Sequence, residues 1–180
     1  MTTTANGALV DYRIDVRSLP KDGHPVAIRA SEAERDRLRA ANDLLAVDSL
    51  DADMVVEAWR SDGIRVSGQI HARVRQSCVA TLVPVQNALR ERIDVTLVPE
   101  GSPFAERIDG EIVLDPEGDD PPDQFTPPYV DVGRIVEELF TLALDAYPRV
   151  PGAVLSGDAE DKQVDGPFAA LQALRTDSAD

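Results

Sequence analysis

The sequence predicts an α+β fold: an antiparallel β-sheet of about five to six strands, two amphipathic helices and an acidic C-terminal tail. Three observations carry this. From Ile64 to Val74 the even positions are apolar or small while Arg65, Ser67, Gln69, His71 and Arg73 are polar, the period-2 pattern of a strand with one dry face and one wet, basic face. Just before it, Leu50, Ala52, Met54, Val56 and Ala58 alternate with acids in the same even register, giving a hairpin around Ser61-Asp62-Gly63. Two further stretches, Ser31–Val47 and the run after Asp131, repeat apolar residues at helical spacing.

The hairpin register is dictated by parity. Opposed residues of an antiparallel pair share a face, and both dry faces use even numbers, so a three-residue loop is preferred over a two-residue one. With Gly63 as the left-handed loop residue, Arg60 opposes Ile64, and the inner pairs are Ala58 with Val66, Met54 with Ile70 and Leu50 with Val74. On the wet face Trp59 then lies beside Arg65, Asp53 beside His71 and Asp51 beside Arg73.

The chain begins with a first strand in which Val10, Tyr12, Ile14 and Val16 alternate with charged residues, and Pro20-Lys21-Asp22-Gly23 marks a turn. His24–Arg29 is a short second strand. Ser31 and Glu34 have the spacing of a capping box, which starts a helix expected to run to Val47. After the hairpin, Gln76 to Leu82 continues or bends the long strand, and Pro84, lacking an N–H, ends that ladder. A strand from about Ala88 to Val98 points Ile93, Val95 and Leu97 inward. Residues 99–130 form a Pro/Gly-rich acidic loop with one short strand at Glu111–Leu114. Asp131 caps a helix with Val132, Ile135, Val136, Leu139, Leu142 and Ala143 on one face and Glu137 and Glu138 on the other, stopped by Pro148 and Pro151. Residues 1–155 thus make a single α+β domain, and 156–180 a disordered tail in which only Phe168, Leu171 and Leu174 show i, i+3, i+6 spacing.

Charge is distributed unevenly. The chain carries -15 overall, but residues 1–99 hold 13 basic and 14 acidic side chains against 5 and 19 in residues 100–180. Such a balance argues against a simple polyanion binder and directs attention to local surfaces. One cysteine allows neither an intrachain disulfide nor a multi-cysteine zinc site, and with no leading apolar run the expected compartment is the cytoplasm, with no membrane contact. No nucleotide, metalloprotease or nucleophile-elbow motif is present, so no catalytic residue, cofactor or metal is expected. Cys78 with His71 is the nearest approach to a thiol and base, yet alternation sets them on opposite faces, and Cys78 reads as a small buried hydrophobe.

The wet face is the candidate site. Arg65, Arg73 and Arg75 share one side of the sheet, joined by Arg90 and Arg92 if the next strand is adjacent. Either these arginines are free to meet RNA, or Asp51, Asp53 and Glu57 neutralise them. Arg75 faces Ser49 in the expected register and so lacks an acidic partner, which ranks Arg75, Arg90 and Arg92 above Arg65 and Arg73. For a basic partner the candidate contacts are Asp119, Asp120, Glu137 and Glu138.

The stretch Cys78-Val79-Ala80-Thr81-Leu82-Val83-Pro84-Val85 resembles the YceD family, bacterial and plastid proteins named for accumulation of the large ribosomal RNA subunit. In that family a strand runs into C-x-R-C-L or C-x-R-T-L followed by Pro-Val, which Cys78, Thr81, Leu82 and Pro84 match. The family's acidic loop and Glu-Glu helix are matched by Asp131, Glu137, Glu138, Leu139 and the segment from Leu144 to Pro148. Its short segment near the C-terminus is similar to Pro167–Leu171. Ala80 stands where many members have Arg and Thr81 where some have a second Cys, so a metal role in cysteine-rich members does not carry over. The resemblance, covering roughly residues 10 to 175, implies a non-enzymatic role in accumulation or assembly of the large subunit. Large-subunit ribosomal RNA, basic ribosomal proteins or both are the implied partners. The alternative is an acidic holding chaperone or adaptor for one basic ribosomal protein, with no RNA contact.

Overall fold

The computed structural model describes residues 9–10, 12–105 and 122–153. The expected strand at Glu111–Leu114, the acids Asp119 and Asp120 and the tail 156–180 lie outside them. The strands are β1 (Arg13–Asp15), β2 (His24–Arg29), β3 (Ala46–Trp59), β4 (Gly63–Ser77), β5 (Pro84–Pro99), β6 (Asp123–Phe125) and β7 (Tyr129–Asp131), and the helices are α1 (Glu32–Ala41) and α2 (Val132–Leu142). The fold is α+β. Five strands form one sheet in the order β2-β3-β4-β5-β6, antiparallel except for the β5–β6 pair, while β1 and β7 form a separate two-stranded ribbon.

The alternation in the sequence sorts the sheet as expected. Val26 and Ile28 of β2, Leu50, Ala52, Met54 and Val56 of β3, Ile64, Val66, Ile70, Ala72 and Val74 of β4, and Ile93 and Leu97 of β5 all lie in one core. Leu38 of α1 and Val132, Val136 and Phe140 of α2 cover this face and are fully buried. Complete burial of a side chain of that size contributes about 1.5–3 kcal/mol. The opposite face of β3, β4 and β5 is left to solvent along most of its length, while at the hairpin end Val98 is fully buried and Phe104 packs edge-on against Trp59 at 5.9 Å.

The β3–β4 register differs from expectation by two residues. Ala58 opposes Ile64, Val56 opposes Val66, Met54 opposes Gly68 and Leu50 opposes Ala72. The parity and the three-residue loop hold, but the loop is Arg60-Ser61-Asp62, with Arg60 itself left-handed at φ 54. Gly63 is drawn into the strand opposite Trp59, where a Cβ would come within 2.8 Å of the Trp59 ring and 2.9 Å of the Leu97 carbonyl oxygen. The glycine serves close approach instead of the turn. Arg60 stacks over Trp59 at 4.2 Å and Phe104 at 4.8 Å, so Arg60, and not Arg65, makes the Trp59 cation–π contact.

Further along, the ladder slips once more. A bulge between Val47 and Ser49 makes Asp48 an extra residue and sets Val47 opposite Val74 and Ala46 opposite Arg75.

Helix α1 is capped as expected, with Glu34 N–H donating to the Ser31 hydroxyl and the Glu34 carboxylate accepting from Ser31 N–H. It ends at Ala41 and not Val47. The Asn42 side chain donates to the Leu38 carbonyl at 3.0 Å, Asp43 turns left-handed at φ 51, and Leu45 N–H already donates to the Arg75 carbonyl beside β4. Pro84 likewise opens β5 opposite Ser77 instead of closing β4, since a first strand residue needs no N–H to donate. Helix α2 starts at the expected cap, Arg134 N–H donating to Asp131 at 3.1 Å, but stops at Leu142, ahead of Pro148 and Pro151. No helix of the described residues is long and apolar enough to cross a membrane.

Candidate nucleic-acid interface on the exposed sheet face

Register decides which charges meet on the open face. β2 runs beside β3 with Arg29 opposite Asp51 and Ala27 opposite Asp53. Arg29 reaches Asp53 at 2.7 Å and Asp51 at 3.5 Å, and the Asp53 hydrogen bond raises the guanidinium above its ordinary pKa. The two aspartates expected to balance Arg73 and His71 are therefore held by a residue on the other side of their strand.

The five candidate arginines fall into two groups. Arg65 grips Asp94 through Nε at 2.9 Å and Nη2 at 3.1 Å, and Arg92 reaches the same carboxylate at 2.8 Å. Arg75 does have an acidic partner: Nε and Nη2 reach Asp48 at 3.2 and 3.0 Å. The two-residue register shift puts Ser49 opposite Arg73 and the bulge sets Ala46 opposite Arg75, which corrects the expectation that Ser49 faces Arg75; the extra residue of the bulge, Asp48, is the partner.

Arg73 and Arg90 are exposed and make no ion pair among the described residues. Arg90 lies opposite His71, and Arg73 opposite Ala88, two residues from Arg90 on the same face. They are diagonal neighbours, a spacing of about 7–8 Å between backbones in an antiparallel pair. On the β3 side of this strip stand Asp51 opposite His71, Asp53 opposite Gln69 and Glu57 opposite Arg65, and on the β5 side Asp94 opposite Ser67. With Arg29 included, five guanidiniums (Arg29, Arg65, Arg73, Arg90 and Arg92) stand against four carboxylates (Asp51, Asp53, Glu57 and Asp94), and because Arg29 holds both aspartates and Asp94 holds Arg65 and Arg92, the excess falls at Arg73 and Arg90 in a chain of net charge -15. The chemistry available is that of anion binding, since guanidinium donors match phosphate oxygens in pairs.

The other candidate residues are dispersed. Glu137 is tied into the fold, its carboxylate accepting the Leu9 N–H at 2.9 Å, while Glu138 is exposed beside a cleft of about 580 Å³ that also takes in Arg13, Asp131 and Arg134. Cys78 is fully buried at the start of the turn after β4, whereas His71 is exposed on the open sheet face, so the thiol and the imidazole are not brought together. Thr81, Leu82 and Val83 complete that turn, closed by Leu82 N–H to Cys78 carbonyl and Cys78 N–H to Val83 carbonyl bonds, both 2.9 Å. The thiol pKa is pushed down to about 7, first by the Thr81 hydroxyl and then by the Val150 N–H, with burial opposing. Among the described residues no group of three or more His, Cys, Asp or Glu could hold a metal ion.

No family model, no curated protein and no solved structure matches the chain. The resemblance to the YceD family therefore rests on the motifs around Cys78–Val85, Asp131–Pro148 and Pro167–Leu171.

Proposed function

We propose that this domain is a non-enzymatic factor in accumulation or assembly of the large ribosomal subunit, touching ribosomal RNA through the β4–β5 strip centred on Arg73 and Arg90. The observation that carries the RNA contact is the pair of exposed guanidiniums, without an ion pair among the described residues, at diagonal positions on an uncovered sheet face. The ribosomal assignment draws on the family resemblance. The acidic half keeps non-specific polyanion binding weak, so that affinity depends on a few placed contacts.

The test is RNA binding by the purified chain across a salt series, with a large-subunit ribosomal RNA fragment as ligand. Removing one phosphate contact lowers the log-log salt slope by about 0.7–0.9, so Arg73→Glu with Arg90→Glu should weaken and flatten binding by about two such steps. Arg75→Glu, whose partner is Asp48, should change it less. Equal binding by wild type and the Arg73/Arg90 variant refutes the contact. If the chain also captures a basic ribosomal protein stoichiometrically and binds no RNA, the acidic adaptor is the correct reading.

A further inference from the structure

Across the open face the side chains change in kind from one strand to the next. On β3 stand Asp51 and Asp53, which Arg29 holds at 3.5 and 2.7 Å. On β4 they are faced by His71 and Gln69, and on β5 those two are faced in turn by Arg90 and Arg92. Carboxylate, neutral polar group and guanidinium thus follow one another over two successive rungs. Adjacent strands lie about 4.8 Å apart and same-face neighbours along a strand about 6.7 Å, so these rungs and Arg73, the next same-face residue of β4, form one continuous patch.

Gln69 and His71 are exposed, and neither side chain makes a hydrogen bond or ion pair among the described residues. An amide carries donors and acceptors together, and a neutral imidazole carries one of each. Phosphate oxygens only accept, and guanidiniums satisfy them alone. Groups that both donate and accept suit a hydroxyl, which does the same. In RNA that hydroxyl is the ribose 2′-OH, displayed along the wide, shallow minor groove of an A-form helix.

The charges fix which way round such a helix lies. Asp51 and Asp53 share the single Arg29, so negative charge remains on the β3 side and turns phosphate away. Arg92 is engaged by Asp94 at 2.8 Å, which leaves phosphate to Arg73 and Arg90 and sets the ribose over Gln69 and His71. Side chains standing on a sheet reach a shallow groove but cannot enter the deep, narrow major groove of the same helix. A single strand asks for aromatic platforms under successive bases. Here the patch offers the His71 ring alone, and the Trp59 ring is taken by Arg60 and Phe104 at the hairpin end.

We propose that this patch recognises double-stranded RNA, Arg73 and Arg90 meeting phosphates while Gln69 and His71 meet 2′-hydroxyls in the minor groove. The proposal rests on the RNA-contact reading and names the form of RNA that it takes. The test is fluorescence anisotropy of the full chain with three probes: an RNA duplex, its separated strands, and the DNA duplex of the same sequence. The RNA duplex should bind about tenfold or more tighter than either of the others. Gln69→Ala with His71→Ala should bring the two duplexes to within about threefold of each other and leave the salt slope as it is. Arg73→Glu with Arg90→Glu should weaken both duplexes and flatten the slope. Single strands that bind as tightly as the RNA duplex overturn the proposal and leave the RNA contact standing. A DNA duplex bound as tightly as RNA does the same, as does a preference for RNA that the Gln69/His71 variant retains. Binding to none of the probes overturns the RNA contact itself, and this proposal with it. The comparison among probes uses the wild-type chain, so a folding defect in a variant cannot shield the outcome.

Discussion

The Cys78 thiol is enclosed by the turn it begins, with the Thr81 hydroxyl and the N–H groups of Val150, Ala80 and Thr81 all favouring the thiolate. Its folded pKa of about 7 lies below the ordinary 9.0, so between these values the unfolded chain binds more protons than the folded one. Stability must then rise with pH across that window, be fully present above about 9 and be lost as pH falls through 7. Urea midpoints measured from pH 6 to 9.5 should show this rise in the wild type and a flatter profile in Cys78→Ser; parallel profiles would contradict it. The sequence placed Cys78 out of water correctly, but nothing in it announced the four groups facing the sulfur, since Val150 arrives from beyond α2. Arg75 shows the same limit on the open face. Ser49 lies opposite Arg73, and Arg75 is reached instead by Asp48, the extra residue of a bulge that strict alternation does not foresee.

At the level of elements, alternation revealed which face of each long strand is buried, because one misplaced face would strand a whole row of apolar side chains in water. Absolute register was less legible. Both registers satisfy parity, and the choice turns on the Trp59 ring lying where residue 63 can have no side chain. A double-mutant cycle checks this cause. Gly63→Ala should lower stability by about 1–3 kcal/mol through overpacking, and in a Trp59→Ala background part of that loss should disappear. An equal loss in both backgrounds would locate the strain at the Leu97 carbonyl instead. Helix α1 ended early because Asn42 and Asp43 terminate it, a signal present in the sequence but outweighed by Leu44 and Leu45 at helical spacing. β6 and β7, three residues each, are too short to show any period, and their pairing with β5 and β1 is settled by tertiary contact.

Across the whole molecule, one short stretch near the start ties the two helices together. Leu9 N–H donates to Glu137 of α2 while its carbonyl accepts from Arg37 of α1 at 2.8 Å, and Gly133 lets the neighbouring Val10 and Tyr12 backbone lie directly on the first turn of α2, with Gly133 N–H donating to the Tyr12 carbonyl at 3.2 Å. Leu38 of α1 and Phe140 of α2, both fully buried, belong to the same continuous core. If the layer on β2–β3 and the layer on β4–β5 were independent, losing one helix anchor would leave half of the molecule unfolding where it did before. A shared core demands the opposite. Leu38→Ala should cost about 2–5 kcal/mol and Phe140→Ala about 3–5 kcal/mol. Each should move a single urea transition to a lower midpoint with its slope unchanged, whether followed by Trp59 fluorescence on the hairpin or by helical circular dichroism. Two separated transitions in either variant, or different midpoints from the two probes, would show that the helices stabilise separate halves and that the Leu9 connection does not couple them.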